Sequence, residues 1–178
     1  MTSAVGSFPP WPDLIAQMGT LRRQVHEVND IFPATLPHLA ATEDQLAAAE
    51  ARLGHPLDPQ HREFLSYGNG WPDFYLGSSL LGTDELGHGP TWDDINRTLD
   101  AFYAALPQPA PVPPRDQIYP ISHAEDSSSI FAIWIHGPRT DGGHPVLWLP
   151  WEEGTEPYEN FFEFFRATYQ DYEEELDG

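Results

Sequence analysis

Neighbouring carboxylates are the residues of this sequence with the clearest capacity for chemistry. A glycosidase needs two of them about 5 to 9.5 Å apart in a cleft, one as an acid and the other as a base or nucleophile. Spacing along a sequence does not establish such a cleft, and solvated helix ends account for most acidic runs. We therefore assign no catalytic residue to them. The runs considered are Asp84-Glu85, Asp93-Asp94, Glu152-Glu153 and Glu173-Glu174-Glu175.

The eight histidines are the next candidates, because histidine is the commonest metal-binding side chain. None has the spacing of His-Glu-x-x-His or of another helical pair, and the chain has no Cys to complete a zinc site. Only His136 and His144 could still form part of a metal site, because they could face each other across a hairpin. We expect no bound metal. The set comprises His26, His38, His55, His61, His88, His123, His136 and His144.

Two further segments lack the motif that catalysis or phosphate binding would require. His123-Ala-Glu-Asp-Ser127 has the residue types of an acyl-transfer triad, but no Gly-x-Ser-x-Gly turn presents a serine nucleophile. Gly82 to Gly89 holds three glycines without Gly-x-Gly-x-x-Gly spacing, and a chain without Lys cannot supply the lysine of a phosphate-binding loop. The sequence predicts a protein that is not an enzyme and uses no cofactor.

Charge narrows the class of partner. The 178 residues include 28 acidic and 8 basic side chains, all of the latter Arg, and the formal net charge is −20. Binding to nucleic acid or to an anionic membrane needs a basic face, so both are disfavoured. The acidity could steer a basic protein partner toward the chain. Solubility, the composition of the source genome or adaptation to salt would explain it equally well.

Length and composition predict one soluble domain. The absence of Cys excludes disulfides and suits a reducing cytosol. Residues 1–20 lack the basic start of a secretory signal, and no run of about 18 apolar residues occurs. We expect a cytoplasmic domain at residues 13–178, preceded by a loose leader at residues 1–12 that is rich in Gly, Ser and Pro.

Three long helices are predicted from apolar residues that repeat every three or four positions. They cover residues 13–28, 91–106 and 161–176, and the last is rich in aromatic residues. Asp13 is expected to cap the first, while Asp94 has the spacing of a capping box for the second. An aromatic face on the third predicts a helix that closes the core.

Two short capped helices are predicted between the first two long ones. Thr42 and Gln45 have the spacing of a capping box, and Gly54 suits the end of that helix. Asp58-Pro59 is typical of the start of a second helix, which ends before Asn69-Gly70. The Asn-Gly pair indicates a tight turn.

Short β-rich runs fill most of the remaining sequence. The runs 74–76 and 80–81 are bounded by Gly and Ser and predict a hairpin. Residues 107–114 contain five prolines, which neither a helix interior nor a central strand accepts, so this segment is a stiff connector. An antiparallel meander is predicted from 118–121, 130–135 and 146–149.

The segment 42–71 resembles the opening signature of the SMI1/KNR4 (SUKH) family. That family has a helix with a Glu and a Leu-Gly end, a Leu-Pro step, a helix with an aromatic residue and Leu, and then Asn-Gly. This chain departs from the pattern at Asp58, which intervenes between Leu and Pro. The matching residues are Glu50, Leu53-Gly54, Leu57, Phe64-Leu65 and Asn69-Gly70.

The resemblance implies an α+β fold in a single domain, with helices flanking a mostly antiparallel sheet. We expect four to six strands, covered on one face by the helices of residues 43–67 and by the tail helix. Eight residues are predicted to form the core, namely Leu46, Leu53, Phe64, Leu65, Trp134, Trp148, Phe161 and Phe165.

The resemblance also implies a bacterial immunity protein that binds and neutralises one cognate toxin. The charge favours a basic toxin such as a nuclease. The alternative is a non-catalytic regulatory or scaffold domain of the KNR4 type. Because apolar faces are needed for the core, partner contacts are expected from acidic residues at turns and strand ends. These are Asp73, Asp84, Glu85, Asp93, Asp94, Glu152 and Glu153.

Overall fold

Five α-helices and six β-strands form in the part of the chain that the computed structural model describes, residues 10–152 and 155–178. A short 3₁₀ turn, Arg115–Gln117, precedes the third strand. The helices are α1 Trp11–Val28, α2 Glu43–Leu53, α3 Pro59–Leu65, α4 Pro90–Ala105 and α5 Phe161–Asp177. The strands are β1 Trp71–Tyr75, β2 Ser78–Leu80, β3 Ile118–Pro120, β4 Ser122–Ala124, β5 Ile130–Trp134 and β6 Val146–Leu149.

The strands form two antiparallel three-stranded sheets, ordered β1-β2-β4 and β3-β5-β6. Ile121 joins them, because its N–H donates to the Phe131 carbonyl (2.8 Å) and its carbonyl accepts from the Leu81 N–H (2.9 Å). One extended segment therefore belongs to both sheets. The α+β class, the first hairpin and the meander are confirmed, whereas a single sheet was expected.

The first half of α5 lies at the centre of the core. Phe165 contacts Trp11 and Phe74, with ring centroids 5.3 and 5.4 Å apart, and Phe164 contacts Phe131 at 4.7 Å. Helix α5 also packs against α1 and α3. Rings from α1, α5 and both sheets therefore meet in one cluster, which fixes how these elements are arranged.

Five of the eight predicted core residues are fully buried, namely Leu46, Phe64, Leu65, Phe161 and Phe165. The prediction is wrong for Leu53, Trp134 and Trp148, which are half-buried and pack against the edge of the core. Trp134 ends β5, and its indole N–H donates to Gln117 Oε1 at 3.1 Å. Amphipathic rings commonly lie at such boundaries, with their polar atom directed toward a partner.

The capping predictions are confirmed for α2 and α3. Thr42 Oγ1 accepts from the Gln45 N–H (3.2 Å) while Gln45 Oε1 accepts from the Thr42 N–H (2.9 Å), and Gly54 ends α2 with φ +79°. Asp58 Oδ2 accepts from the His61 N–H at 3.0 Å at the start of α3.

Two predicted helix starts are wrong. Helix α1 begins at Trp11 after Pro10, so Asp13 lies inside the first turn and caps nothing. Trp11 is 5% exposed and belongs to α1, while residues 1–9 of the expected leader lie outside the described part. Helix α4 begins at Pro90 after Gly89, because proline suits the first helical position and Gly89 takes φ +94°.

Among the described residues, no helix is both long and apolar enough to span a membrane.

Candidate interaction surface

Most of the predicted contact residues lie on the surface. Asp73, Asp84, Asp93 and Glu152 are exposed, and Glu85 and Asp94 are half-buried. Glu153 lies outside the described residues. The role of these side chains in binding stays a prediction, but their surroundings differ in ways that matter for it.

The half-buried pair is partly committed to bonds within the chain. Asp94 accepts from Arg97 at 3.2 Å and lies 3.2 Å from His123 Nε2. Glu85 Oε1 accepts from the Gly82 N–H at 3.3 Å, inside the loop between β2 and α4. These bonds restrict the orientation of the two carboxylates.

The loop that carries Asp84 and Glu85 is held from two sides. Arg52 Nε donates to the Leu86 carbonyl at 3.0 Å, and its Nη2 donates to the Thr83 carbonyl. Asn69 Oδ1 accepts from the Thr83 N–H at 2.7 Å. Asn69, the first residue of the Asn-Gly pair, therefore anchors this loop, which leads directly into the first turn of α4 and its two aspartates.

A groove lies beside the turn between β1 and β2, and we call it the hairpin groove. The name covers three neighbouring cavities of about 140, 280 and 200 Å³, of which the first two have Ser128 and Pro150 in common and the last two have Leu76 in common. It extends from α4 to the last turns of α5. Its middle cavity is lined by Leu76, Ser128, Ser129, Trp148, Pro150, Glu152 and Thr155.

Leu76 at the tip of the hairpin is 53% exposed, and its backbone is left-handed, with φ +50°. Gly77 follows with φ +74°, so two successive residues have positive φ, as a tight two-residue hairpin turn requires. A large apolar side chain is thus displayed at a strained position, in the wall of two cavities. Strain of this kind concentrates at functional sites.

Arg22, which is not among the predicted contact residues, bonds to this hairpin from the core side. It is 1% exposed, and its Nη1 donates to the Phe74 carbonyl at 2.8 Å. Its Nη2 donates to the carbonyls of Pro33, at 2.8 Å, and Asp73. Burial lowers the pKa of Arg22, and its guanidinium lies 5.1 Å from the Tyr172 ring centroid. Its burial could be predicted from the sequence, because residue 22 lies between Met18 and Val25 on the apolar face of α1.

A second polar cluster is buried, and its residue types resemble those of an acid–base site. Asp58 Oδ1 accepts from the backbone N–H of His144 at 2.7 Å and lies 2.8 Å from its Nδ1. Tyr119 Oη lies 3.0 Å from His61 Nδ1 and accepts from the Asp58 N–H at 3.0 Å. Burial lowers the pKa of His61 to about 4 and raises that of Tyr119.

This cluster holds α3, β3 and the segment before β6 together. Asp58, His61 and Tyr119 are at most 2% exposed, so a substrate could not contact them without unfolding of the surroundings. His144 is directed toward Asp58, while His136 is exposed. Among residues 10–152 and 155–178, no group of three or more metal-binding side chains is arranged to hold an ion.

The fold and the surface together define an acidic α+β domain whose polar clusters are structural and whose groove is open to solvent. The profile of the SMI1 / KNR4 family (SUKH-1) matches residues 40–167, and the chain belongs to that family. A comparison with curated protein sequences found no match. Helix α1 and the last turns of α5 lie outside the matched range.

Proposed function

We propose that this protein is a bacterial immunity protein that binds and neutralises a cognate basic toxin, with a nuclease as the best-suited class. Membership of the SUKH-1 family supports the proposal, because neutralisation of a toxin is a known role of SUKH proteins. The single observation that supports a basic partner is that most arginines are bonded within the chain, which leaves most carboxylates without an arginine partner in the described part.

Most arginines are occupied within the chain. Arg22 and Arg52 donate to backbone carbonyls, as described above, and four others pair with carboxylates. The paired arginines are Arg62, Arg97, Arg115 and Arg166, and their partners are Glu43, Glu50, Asp94, Asp100 and Glu163. With 28 acidic residues in the chain, most of the negative charge is left without an arginine partner in the described part.

Such a surface suits a partner whose own site is basic. Complementary potentials raise the rate of encounter, and more so at low salt. A nuclease binds phosphate with cationic groups, so a carboxylate-bearing face can occupy the same groups and exclude the substrate. Inhibition then requires only binding, and no residue of this chain needs to act as a catalyst.

A stoichiometric titration tests this proposal. Tagged protein is used to capture its partner from the native cell, and the captured toxin is assayed for growth arrest with increasing amounts of the pure protein. Protection should be complete at a fixed molar ratio, because binding saturates whereas turnover does not. Inactivation by about a hundredfold less protein than toxin would show catalysis and refute the proposal. Capture of a host regulatory protein alone, without any toxin, would support the alternative KNR4-type scaffold function.

A further inference from the structure

The last turns of α5 carry an unusual concentration of negative charge. Helix carbonyls without partners give the C-terminal end a partial negative charge, so cations are favoured there and anions are not. In α5 this end has no basic residue in its last turn. Its acidic residues are Asp171, Glu173, Glu174, Glu175 and Asp177. The helix thus has electrostatic repulsion that a bound cation would relieve.

Three of these carboxylates line one cavity. Asp171, Glu174 and Glu175 are spaced i, i+3 and i+4, which puts them on one face of the helix. They line the end of the hairpin groove, in a cavity of about 200 Å³ that we call the α5 cavity. The hydroxyl of Tyr75 donates to Asp171 Oδ2, which fixes that carboxylate at the wall.

The remaining lining of the α5 cavity is apolar and aromatic. Phe32, Tyr75, Leu76 and Tyr172 form it, with Leu76 contributed by the strained turn. Tyr172 is 5% exposed and its ring already lies against the guanidinium of Arg22, so the half-buried rings of Phe32 and Tyr75 are the ones offered to a ligand. Aromatic faces beside carboxylates match an arginine side chain, whose planar guanidinium stacks on rings and donates two parallel hydrogen bonds to a carboxylate. A lysine ammonium is a compact, strongly hydrated charge and uses the rings less well.

We infer that the α5 cavity binds an arginine side chain of a basic protein partner. The identity of the partner rests on the proposed function, whereas the cavity and its chemistry rest on the geometry alone. Phe32 and the four α5 residues of the lining lie outside the range that matches the family, so the cavity is built largely on segments beyond the shared domain. A contact there would distinguish this chain's partner from partners of other family members.

Nuclear magnetic resonance titration with two matched peptides tests the inference. The probes are acetyl-Ala-Arg-Ala-amide and the same peptide with citrulline, which has the shape of arginine but no charge. At low salt, the arginine peptide should shift the backbone amide signals of Leu76, Gly77 and residues 171–177, with affinity about tenfold above that of citrulline. Equal shifts with both peptides, or shifts located elsewhere, would overturn the inference.

A matched pair of variants separates a local site from general attraction to the acidic surface. Glu174→Gln/Glu175→Gln and Asp44→Asn/Glu63→Gln each remove two exposed charges, but only the first pair lines the cavity. The first variant should lose about tenfold in affinity for the arginine peptide, and the second less than about twofold. Equal losses would show attraction by net charge alone and reject the site.

These titrations and the toxin titration can fail separately. Arginine binding in the α5 cavity of a protein that protects against no toxin would retain the cavity and reject the immunity function. Stoichiometric protection by a protein whose cavity does not bind the arginine peptide would retain the immunity function and reject the cavity. The toxin would then contact another surface.

Discussion

At the scale of single residues, Arg22 connects the core to the surface. Its guanidinium donates to carbonyls of the segment after α1 and of β1, and Tyr172 donates to the same Phe74 carbonyl at 2.9 Å. Residues far apart in sequence are thereby held around one hairpin. Its helical position could be predicted from the apolar pattern of α1, but its acceptors could not, because they are fixed only when the chain has folded.

Replacement of Arg22 by Met should therefore destabilise the fold. Methionine keeps much of the volume but removes the donor to the carbonyls of Pro33 and Asp73 and one of the two donors to the buried carbonyl of Phe74, so we expect a loss of about 2–4 kcal/mol in the free energy of unfolding. Urea denaturation measures it, with the exposed neighbour Arg23→Met as the control, expected within about 0.5 kcal/mol of the wild type. A loss below about 1 kcal/mol for Arg22→Met would contradict the assigned role.

His61 should make stability depend on pH. Its pKa is lowered to about 4 by burial, against the attraction of Asp58, whereas an unfolded chain has the ordinary value near 6.5. Below the ordinary pKa the unfolded state gains a proton that the folded state does not, so stability present above it is lost as pH falls toward 4.

Between about pH 7 and pH 4.5 the wild type should lose about 2 kcal/mol more stability than His61→Gln. Urea denaturation at the two pH values measures the difference, and the many carboxylates are common to both proteins. Equal losses in the two proteins would mean that His61 is protonated as easily in the folded state as in the unfolded chain.

At the scale of elements, the features predicted correctly from the sequence are those that depend on residues close together in the chain. The capping box at Thr42, the Asp58 cap and the β1–β2 hairpin depend on neighbours a few residues away, and all three are confirmed. The start of α1 was misplaced because Asp13 is a good cap by type, whereas burial of Trp11 extends the helix backward. The bend at Ile121 that divides one extended segment between two sheets has no local signal at all.

The acidic end of α5 should reduce the stability of the helix. Removing two carboxylates from the negative end of the dipole, in Glu174→Gln/Glu175→Gln, should raise the free energy of unfolding by about 0.5–1 kcal/mol. Asp44→Asn is the mirror control, because Asp44 lies in the first turn of α2, where an acid is favourable, and should lower stability slightly. Thermal denaturation compares them. A destabilised double variant would mean that these carboxylates are structural.

At the scale of the whole molecule, the predicted contact residues fall into two regions. Asp73 and Glu152 belong to the hairpin and its groove, while Asp84, Glu85 and the aspartates of α4 occupy a rigid loop and the helix that follows it. These residues could be predicted from the sequence by type and place, as exposed acidic residues at turns. It did not supply the α5 cavity, because the acidic run at 173–175 is ordinary for a helix end until that end is seen beside Leu76.

Reversal of charge should distinguish between these regions and general attraction. Substitution by Lys at Asp73, Asp84, Glu85, Asp93, Asp94, Glu152 or Glu153 should slow association with a basic toxin and flatten its dependence on salt, since steering depends on the summed surface charge near the contact. Stopped-flow association at several salt concentrations measures both effects, with Asp44→Lys as a control of equal net charge.

Stability should stay within about 0.5 kcal/mol for the exposed sites. Asp94 is the exception to examine, because it also pairs with Arg97 and His123. If all seven variants associate at the wild-type rate and protect equally, this set of residues is not the contact surface. Slowing equal to that of Asp44→Lys at low salt would instead assign the effect to net charge, because the Debye length of about 30 Å at 0.01 M salt lets a charge anywhere on so small a molecule act on the approaching partner.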